Sequence, residues 1–242
     1  MRRQAIFLVA FGLLLAGTAN AVEVQQQATV APLVIQPLPA APADRGSCDV
    51  GNPNEPTWNY GNWIMGGEVY AYLVRPSLEG CACEEGFVLD QVSMLMQFGN
   101  EDAPVTFAAF VGLAEAVWNP QTGRWAPGQE YCQSATWSIS AGLPGLYEIY
   151  VDLDGACPCA TMGDAYFVTF HLPNDFTWWP DALEDDAPQA GVCYYDSGTG
   201  WRDLVGDLGW WGKNIMRASI SCCTDPVASE GRTWGHVKST YR

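Results

Sequence analysis

Nine cysteines have the most evident chemistry in this sequence, and all of them lie after residue 47. Four of them form two Cys-x-Cys pairs and two are adjacent, which raises zinc binding as one interpretation. Structural zinc sites usually space their cysteines by two to four residues, however, and cysteines of exported proteins usually pair. We therefore predict disulfides among Cys48, Cys81, Cys83, Cys132, Cys157, Cys159, Cys193, Cys222 and Cys223.

The pairing of these cysteines does not follow from their spacing. The count is odd, so one thiol is left over or two chains are joined, and any eight cysteines allow about 105 pairings. Adjacent cysteines rarely pair with each other, so we expect Cys222 and Cys223 to have two separate partners. We also expect Cys48 to pair with one of these two and to staple the ends of the domain.

Nucleophilic catalysis finds little support, because the chain has only two histidines. His236 lies close to the C-terminus, His171 ends an apolar run, and no G-x-S-x-G elbow is present. Paired carboxylates need no histidine, so glycoside hydrolysis is the less favoured alternative. No spacing among the abundant acids singles out an acid and a nucleophile, so we assign no catalytic residue and expect no enzyme.

The acidic residues also suggest a calcium-binding site as an alternative. Asp152 and Asp154 lie in the sequence DLDG and supply hard oxygen ligands in a predicted loop, although no EF-hand loop is completed. A solvated acidic turn explains the same residues. We therefore predict no cofactor, and a structural calcium ion at Asp152 and Asp154 is the alternative.

Tryptophan is the most distinctive residue type, with eleven copies and two adjacent pairs. Neighbouring side chains of a strand point to opposite faces, so both members of a pair cannot enter one core face. Exposed indole rings are platforms for sugar rings or apolar partners. The candidate ligand-binding residues are therefore Trp178, Trp179, Trp210 and Trp211, and the alternative is that they plug the ends of the fold.

The N-terminus predicts export. Arg2 and Arg3 precede an apolar run that ends at Gly17, and Ala19 and Ala21 are small residues before a cut after residue 21. The run is shorter than the roughly 18 residues that a membrane span needs, so we predict a cleaved signal peptide and no transmembrane segment after cleavage. Cleavage removes two arginines and no acid, so the net charge moves from −16 to −18. So acidic a surface repels nucleic acid.

Short runs of β-branched and aromatic residues between Gly and Pro predict strands. In residues 87–98, Val88, Val92, Met94, Met96 and Phe98 share one parity while Ser93 and Gln97 take the other. In residues 214–221, Met216, Ala218 and Ile220 alternate with Arg217, Ser219 and Ser221. Residues 105–118 would tolerate a helix but begin as a strand. About eight to ten such strands indicate an all-β fold. We predict a two-sheet antiparallel sandwich of jelly-roll or Greek-key type, stabilised by disulfides.

Composition divides the chain into four parts. Residues 1–21 are the signal peptide, residues 22–47 a Pro- and Ala-rich leader expected to lack stable structure, and residues 48–224 the sandwich. A short strand within VAPLVI of the leader is weakly indicated. Residues 225–242 are a tail with a basic, aromatic end that lacks acids. This tail is either a frayed end or a sorting or anchoring signal.

The closing segment resembles the last strands of jelly-roll modules in secreted bacterial proteases and adhesins. Residues 200–204 (GWRDL) match a turn of that family, and residues 214–220 (NIMRASI) match its final strand. The domain and its tail also resemble a group of exported, cysteine-rich bacterial β-sandwich proteins. The resemblance implies a non-catalytic module that binds or builds cell-surface material, and glycan is one such partner. We expect the protein outside the cytoplasm.

Overall fold

The computed structural model describes residues 24–26, 46–161, 165–173 and 180–223. Within these residues it has fourteen strands and no helix. The strands are β1 (Val24–Gln26), β2 (Ser47–Gly51), β3 (Trp58–Tyr60), β4 (Glu68–Val74), β5 (Phe87–Phe98), β6 (Val105–Asn119), β7 (Arg124–Gln133), β8 (Trp137–Ala141), β9 (Gly145–Asp152), β10 (Tyr166–Leu172), β11 (Asp181–Glu184), β12 (Cys193–Asp196), β13 (Arg202–Asp203) and β14 (Met216–Cys222). The predicted signal peptide, the C-terminal tail and most of the leader lie outside the described residues.

The first sheet has seven strands and is centred on β5. β9 pairs with residues 91–98 of β5, while β14 and β11 pair with residues 87–94 and 96–97. β2 then pairs with β14, β3 pairs with β11, and β1 pairs with β3. In the described part of the chain, β1, β2 and β9 each have a single neighbour.

The second sheet also has seven strands, with β13, β12, β4, β10, β6 and β7 in that order. Gln133 of β7 lies opposite Gly112 of β6, and Trp137 of β8 lies opposite Ala109. β8 therefore continues along the edge of β6 where β7 ends. All pairings in both sheets are antiparallel.

The core lies between the two sheets. The predicted alternation in β14 is confirmed, since Met216, Ala218 and Ile220 are at most 3% exposed. Phe170 and Leu172 of β10 in the second sheet are fully buried and belong to the same apolar cluster. The predicted all-β fold with two antiparallel sheets is thus confirmed, and residues 105–118 form a strand. The jelly-roll or Greek-key connectivity stays a prediction.

The predicted parity of β5 is wrong at its beginning. Val88 is partly exposed, whereas Phe87 and Leu89 are fully buried in the core. The cause is a β-bulge, because the register with β14 skips Asp90. An extra residue in one strand reverses the faces of the side chains beyond it. The predicted parity holds from residue 92 to residue 98.

Four disulfides join eight of the nine cysteines, which confirms the disulfide prediction for those eight. The pairs are Cys48–Cys81, Cys83–Cys222, Cys132–Cys157 and Cys159–Cys223. Cys222 and Cys223 have separate partners, as expected. Cys193 is the one left over, and it is fully buried as a free thiol.

The prediction that Cys48 pairs with Cys222 or Cys223 is wrong. In the antiparallel register of β2 and β14, Cys48 lies opposite Ile220 and not opposite Cys222. Diagonal neighbours in such a pair are about 7–8 Å apart, which is beyond the reach of a disulfide. Cys48 instead bonds Cys81, in the turn after β4, with a Cα–Cα distance of 5.7 Å.

Candidate functional site

Two of the four predicted ligand-binding tryptophans lie in the described part of the chain, whereas Trp178 and Trp179 lie outside it. Trp210 is 3% exposed and Trp211 is 54% exposed. The two adjacent indoles therefore lie in opposite environments. A ligand that approaches this loop would reach Trp211, because Trp210 lies inside the protein.

Trp210 belongs to an aromatic cluster that fills one side of the space between the sheets. Its ring stacks on Tyr60 with centroids 4.1 Å apart, and Trp63 meets it edge to face at 5.2 Å. Trp63 also contacts Tyr195 of β12 in the second sheet, at 5.5 Å. Such rings bury a large apolar area, so the cluster fixes the loop that carries Trp210 to both sheets.

Asp203 shapes the beginning of this loop. Its Oδ1 accepts hydrogen bonds from the backbone N–H groups of Val205 and Gly206, at 3.1 and 2.9 Å. Its Oδ2 accepts from Gly191 N–H at 2.6 Å and pairs with the Arg124 guanidinium at 3.0 Å. A carboxylate that caps its own turn is a common way to define a tight loop.

Trp211 projects from the end of the same loop onto β3 of the first sheet. Its ring meets that of Trp58 in β3 edge to face, with centroids 5.2 Å apart. The next residue, Gly212, has no room for a side chain, because a Cβ atom there would lie 1.7 Å from the carbonyl oxygen of Asp185. The exposed ring therefore stands on a backbone that is fixed on both sides.

A buried carboxyl lies beside this backbone. Glu184 of β11 is fully buried, and its Oε2 accepts the Gly212 N–H at 2.9 Å. Its Oε1 has no hydrogen-bond partner among the described residues, nor does the side-chain amide of Asn214, which is paired with Glu184 across the strands. Burial raises the pKa of Glu184 to about 8. The group is therefore mostly protonated at neutral pH.

We expect the free energy of unfolding to fall as the pH rises from 4.5 to 8. The pKa of Glu184 is higher in the folded state, so its contribution is complete below the ordinary value of 4.5 and is lost as the pH passes 8. Glu68, whose pKa burial raises to about 7, acts in the same direction. Since one pKa unit corresponds to about 1.4 kcal/mol, we expect a loss of at least about 2 kcal/mol between pH 5 and pH 8.

Urea unfolding at pH 5 and pH 8 measures this loss. Glu184→Gln keeps an oxygen for the Gly212 N–H and carries no charge, so its stability should depend much less on pH. Glu55 is exposed, and Glu55→Gln should retain the full dependence of the parent. An identical pH dependence for Glu184→Gln and the parent would contradict the assignment.

A groove of about 670 Å³ runs along β2. Residues 49–53 form one wall, and Tyr72, Leu73, Arg75, Leu78 and Glu79 contribute to the other. The Cys48–Cys81 disulfide holds the turn after β4 close to β2. The groove is thus a cleft between the edge of the first sheet and the second sheet, with both apolar and charged walls.

Sequence reasoning did not assign the polar residues on the outer face of the first sheet. Ser93 Oγ donates to Glu148 Oε1 at 2.8 Å, and the Arg217 guanidinium lies 3.3 Å from the same carboxylate. These residues line a shallow depression of about 170 Å³. One sequence pattern did indicate this polar face: in β14, Arg217, Ser219 and Ser221 alternate with core residues.

The calcium candidates lie at the end of β9. Asp152 Oδ1 accepts a hydrogen bond from Gln91 Nε2 at 2.6 Å, and Asp154 is exposed in a turn with φ of 48°. No three His, Cys, Asp or Glu side chains of the described ranges are grouped so as to hold a metal ion. Calcium binding at Asp152 and Asp154 stays a prediction.

His171 lies on the outer face of the second sheet, away from the aromatic cluster. Its Nε2 is 2.9 Å from Glu130 Oε1 and 3.1 Å from Thr169 Oγ1, and its ring stacks on Phe110 with centroids 4.1 Å apart. The ring is held by neighbours on its own sheet, as expected of a structural histidine.

Among the residues that the structure describes, no helix is long and apolar enough to cross a bilayer.

Neither a protein-family model nor a curated protein matches this chain. One similar solved structure contains the cysteine protease and lectin-like domains of Cwp84, a surface layer associated protein of Clostridium difficile, with 11% identity over 76% of this chain and a TM-score of 0.49. The chain spans 37% of the length of that protein chain. A likeness of this degree carries no argument about function.

Proposed function

We propose that this chain is an exported, non-catalytic β-sandwich module that binds a glycan on the ring of Trp211. The observation that carries the proposal is the exposure of this indole, 54%, on a backbone held by Trp58, Trp210 and Gly212. A flat apolar ring that is exposed and already fixed binds with little loss of conformational freedom. The four disulfides support an oxidising compartment outside the cytoplasm.

Trp118 is another exposed indole among the described residues. It is 49% exposed and meets Trp125 edge to face at 5.2 Å. Val117 beside it is also exposed, at 50%, and both residues precede the turn between β6 and β7. This ring therefore stands near the tip of a hairpin. Trp211 is the more exposed of the two rings, at 54%, which favours it as the platform.

The charge of the protein narrows the class of glycan. The formal net charge is −16, so an anionic polysaccharide would be repelled at long range. A neutral glycan meets no such repulsion, and its ring C–H groups can lie on the indole face. The proposed ligand is therefore a neutral polysaccharide or oligosaccharide.

The burial of the carboxyls with raised pKa supports a non-catalytic role. Burial raises the pKa of Glu68 to about 7 and that of Glu184 to about 8, values that suit a general acid. Both side chains are at most 2% exposed, so a substrate oxygen does not reach them. The proposal therefore uses these groups for folding and assigns ligand contact to the exposed ring.

We expect Trp211→Ala to weaken glycan binding by at least about thirtyfold, since the loss of a central tryptophan typically costs about 2 kcal/mol or more. The measurement is a dissociation constant for a neutral glycan selected on an array with the parent protein. Trp118→Ala is the matched control, because it removes an equally exposed indole, and its affinity should stay within twofold. Failure of the parent to bind any neutral glycan, or unchanged binding by Trp211→Ala, would overturn the proposal.

A further inference from the structure

The groove along β2 receives backbone groups from the edge of that strand. β2 has one neighbour, β14, in the described part of the chain, and the Asn52 N–H that follows it donates to the Met216 carbonyl. Hydrogen-bonded positions alternate along an antiparallel pair, so Gly51 points away from β14. Its N–H donates to the Glu79 carboxylate at 2.7 Å, and Glu79 lines the groove. Asp49 has the same parity, so its N–H and carbonyl also face the groove.

The two walls of the groove are held together. The Cys48–Cys81 disulfide ties β2 to the turn after β4. In that turn, Glu79 accepts the Arg75 N–H with Oε1 and the Gly51 N–H with Oε2, so one carboxylate bridges both walls. A ligand therefore meets a cavity that is already formed, and little affinity is lost to rearrangement.

One tyrosine hydroxyl lies at this groove without a partner. Tyr72 lines the groove and is 6% exposed, and its hydroxyl makes no hydrogen bond with another described residue. Val192, which is 7% exposed, and Leu78, which is 74% exposed, line the same groove. An unpaired hydroxyl among apolar side chains favours a ligand that combines apolar groups with a few polar ones.

The charged side chains of the groove are compensated, with one exception. Arg217 pairs with Glu148 at 3.3 Å, the Asp49 carboxylate accepts a serine hydroxyl, and Glu79 accepts two backbone N–H groups. Arg75 forms no ion pair with any residue that the structure describes. A carboxylate of the ligand would supply its counter-ion in a charge-assisted hydrogen bond.

The surroundings of Arg75 limit how acidic the ligand is. Its guanidinium carbon lies 6.0 Å from the centre of the Trp125 ring, a contact that leaves the N–H groups of the guanidinium available to a carboxylate. The formal net charge of −16 repels a strongly anionic ligand at long range. The fitting ligand therefore has one carboxylate and little net charge.

We propose that the groove binds a short peptide in an extended conformation, which adds antiparallel to the edge of β2 and places one carboxylate on Arg75. The Asp49 N–H and carbonyl pair with one residue of the peptide, as in a sheet. A polar group of the peptide bonds the Tyr72 hydroxyl, and an apolar side chain lies on the apolar part of the groove. About five residues, roughly 17 Å, match the length of β2. This site is separate from Trp211, which does not line the groove.

An array of capped pentapeptides, incubated with the purified oxidised protein, tests the proposal. The tightest binder should contain one aspartate or glutamate, and its amide counterpart should bind at least about tenfold more weakly, because hydrogen bonds to charged groups are the strong ones. Arg75→Gln should lose the same factor with the acidic peptide and less than about twofold with the amide peptide. Arg202→Gln is the matched control, since Arg202 is exposed and outside the groove, and should keep both affinities.

Tyr72→Phe tests the floor of the groove, because it removes only the hydroxyl. Affinity for the selected peptide should fall about fivefold, as expected for one neutral hydrogen bond. Tyr131 is 46% exposed and lies outside the groove, so Tyr131→Phe should bind like the parent.

Amide hydrogen exchange, resolved by residue, places the peptide on the protein. The Asp49 amide should exchange at least about tenfold more slowly when the selected peptide is saturating, since it gains a hydrogen bond. The Val50 amide bonds β14 and should be protected with and without peptide, which makes it the internal control.

Three results would overturn the proposal. The first is an array on which no peptide binds the parent protein. The second is an equal loss of affinity for the acidic and the amide peptide in Arg75→Gln. The third is an Asp49 amide that is already protected in the protein alone, because the edge of β2 would then be occupied without a ligand.

Discussion

Replacing Cys83 and Cys222 together by serine is expected to lower the free energy of unfolding by about 5 kcal/mol, because a cross-link that closes a loop on the order of 100 residues contributes about that much. The bond joins residues 139 positions apart and fixes the last strand, β14, to the segment before β5. Without it the unfolded chain gains conformational entropy. Urea unfolding of the oxidised protein measures the change.

The matched control is the double replacement of Cys132 and Cys157, whose bond spans 25 positions. It removes the same number of sulfur atoms and should have a smaller effect, about 3 kcal/mol in the same chain-entropy account. Thiol titration in denaturant should find one thiol, that of Cys193, in the parent and in both variants. An equal or larger loss for the shorter loop would contradict the role of loop length.

Asp185→Ala is expected to destabilise the domain by about 4 kcal/mol, because removing one partner of a buried ion pair leaves the other charge uncompensated. Asp185 is fully buried, and its Oδ2 lies 3.0 Å from Lys213 Nζ. The same carboxylate accepts from Asn54 Nδ2 at 2.7 Å, from the Lys213 N–H at 2.7 Å and from Ala187 N–H at 3.0 Å. Three segments of the chain therefore meet at one carboxylate.

The hydrogen bonds that Asp185 accepts lower its pKa by more than its burial raises it. Burial alone would raise the pKa of this carboxyl, but the bonds from Lys213, Asn54 and Ala187 hold its pKa below the ordinary value. The charged form is thus the one that the fold stabilises, in contrast to the adjacent Glu184. Asp186→Ala is the matched control, since Asp186 is exposed, and should change stability by no more than about 0.5 kcal/mol. Equal urea midpoints for the two variants would contradict this account.

The strands were predictable because their patterns are local. Alternation in β14 and the Val- and Phe-rich start of β6 depend on neighbours within a few residues, and both predictions were confirmed. The β-bulge at Asp90 in β5 could not be recognised from the local sequence pattern. A bulge follows from the pairing of two strands more than a hundred residues apart, which a single strand's pattern does not contain.

Long-range register also explains the error at Cys48. The order of the cysteines along the chain favoured pairing the first with the last, and the two strands that carry them are indeed neighbours. A displacement of two residues in register separates Cys48 from Cys222. The groove along β2 and the contact of Trp211 with Trp58 depend equally on distant segments. Trp210 and Trp211 lie in a loop, so the alternation of side chains along a strand does not account for their different burial.

The disulfides near the ends of the domain have a mechanical consequence. A continuous covalent path joins Gly46 to Cys223 through Cys48–Cys81, Ala82 and Cys83–Cys222. Tension applied to the two ends would follow this path and bypass the strands between. The strands from β3 to β13 would then carry little of this load, whereas β1, which precedes Gly46 in the first sheet, has no such protection.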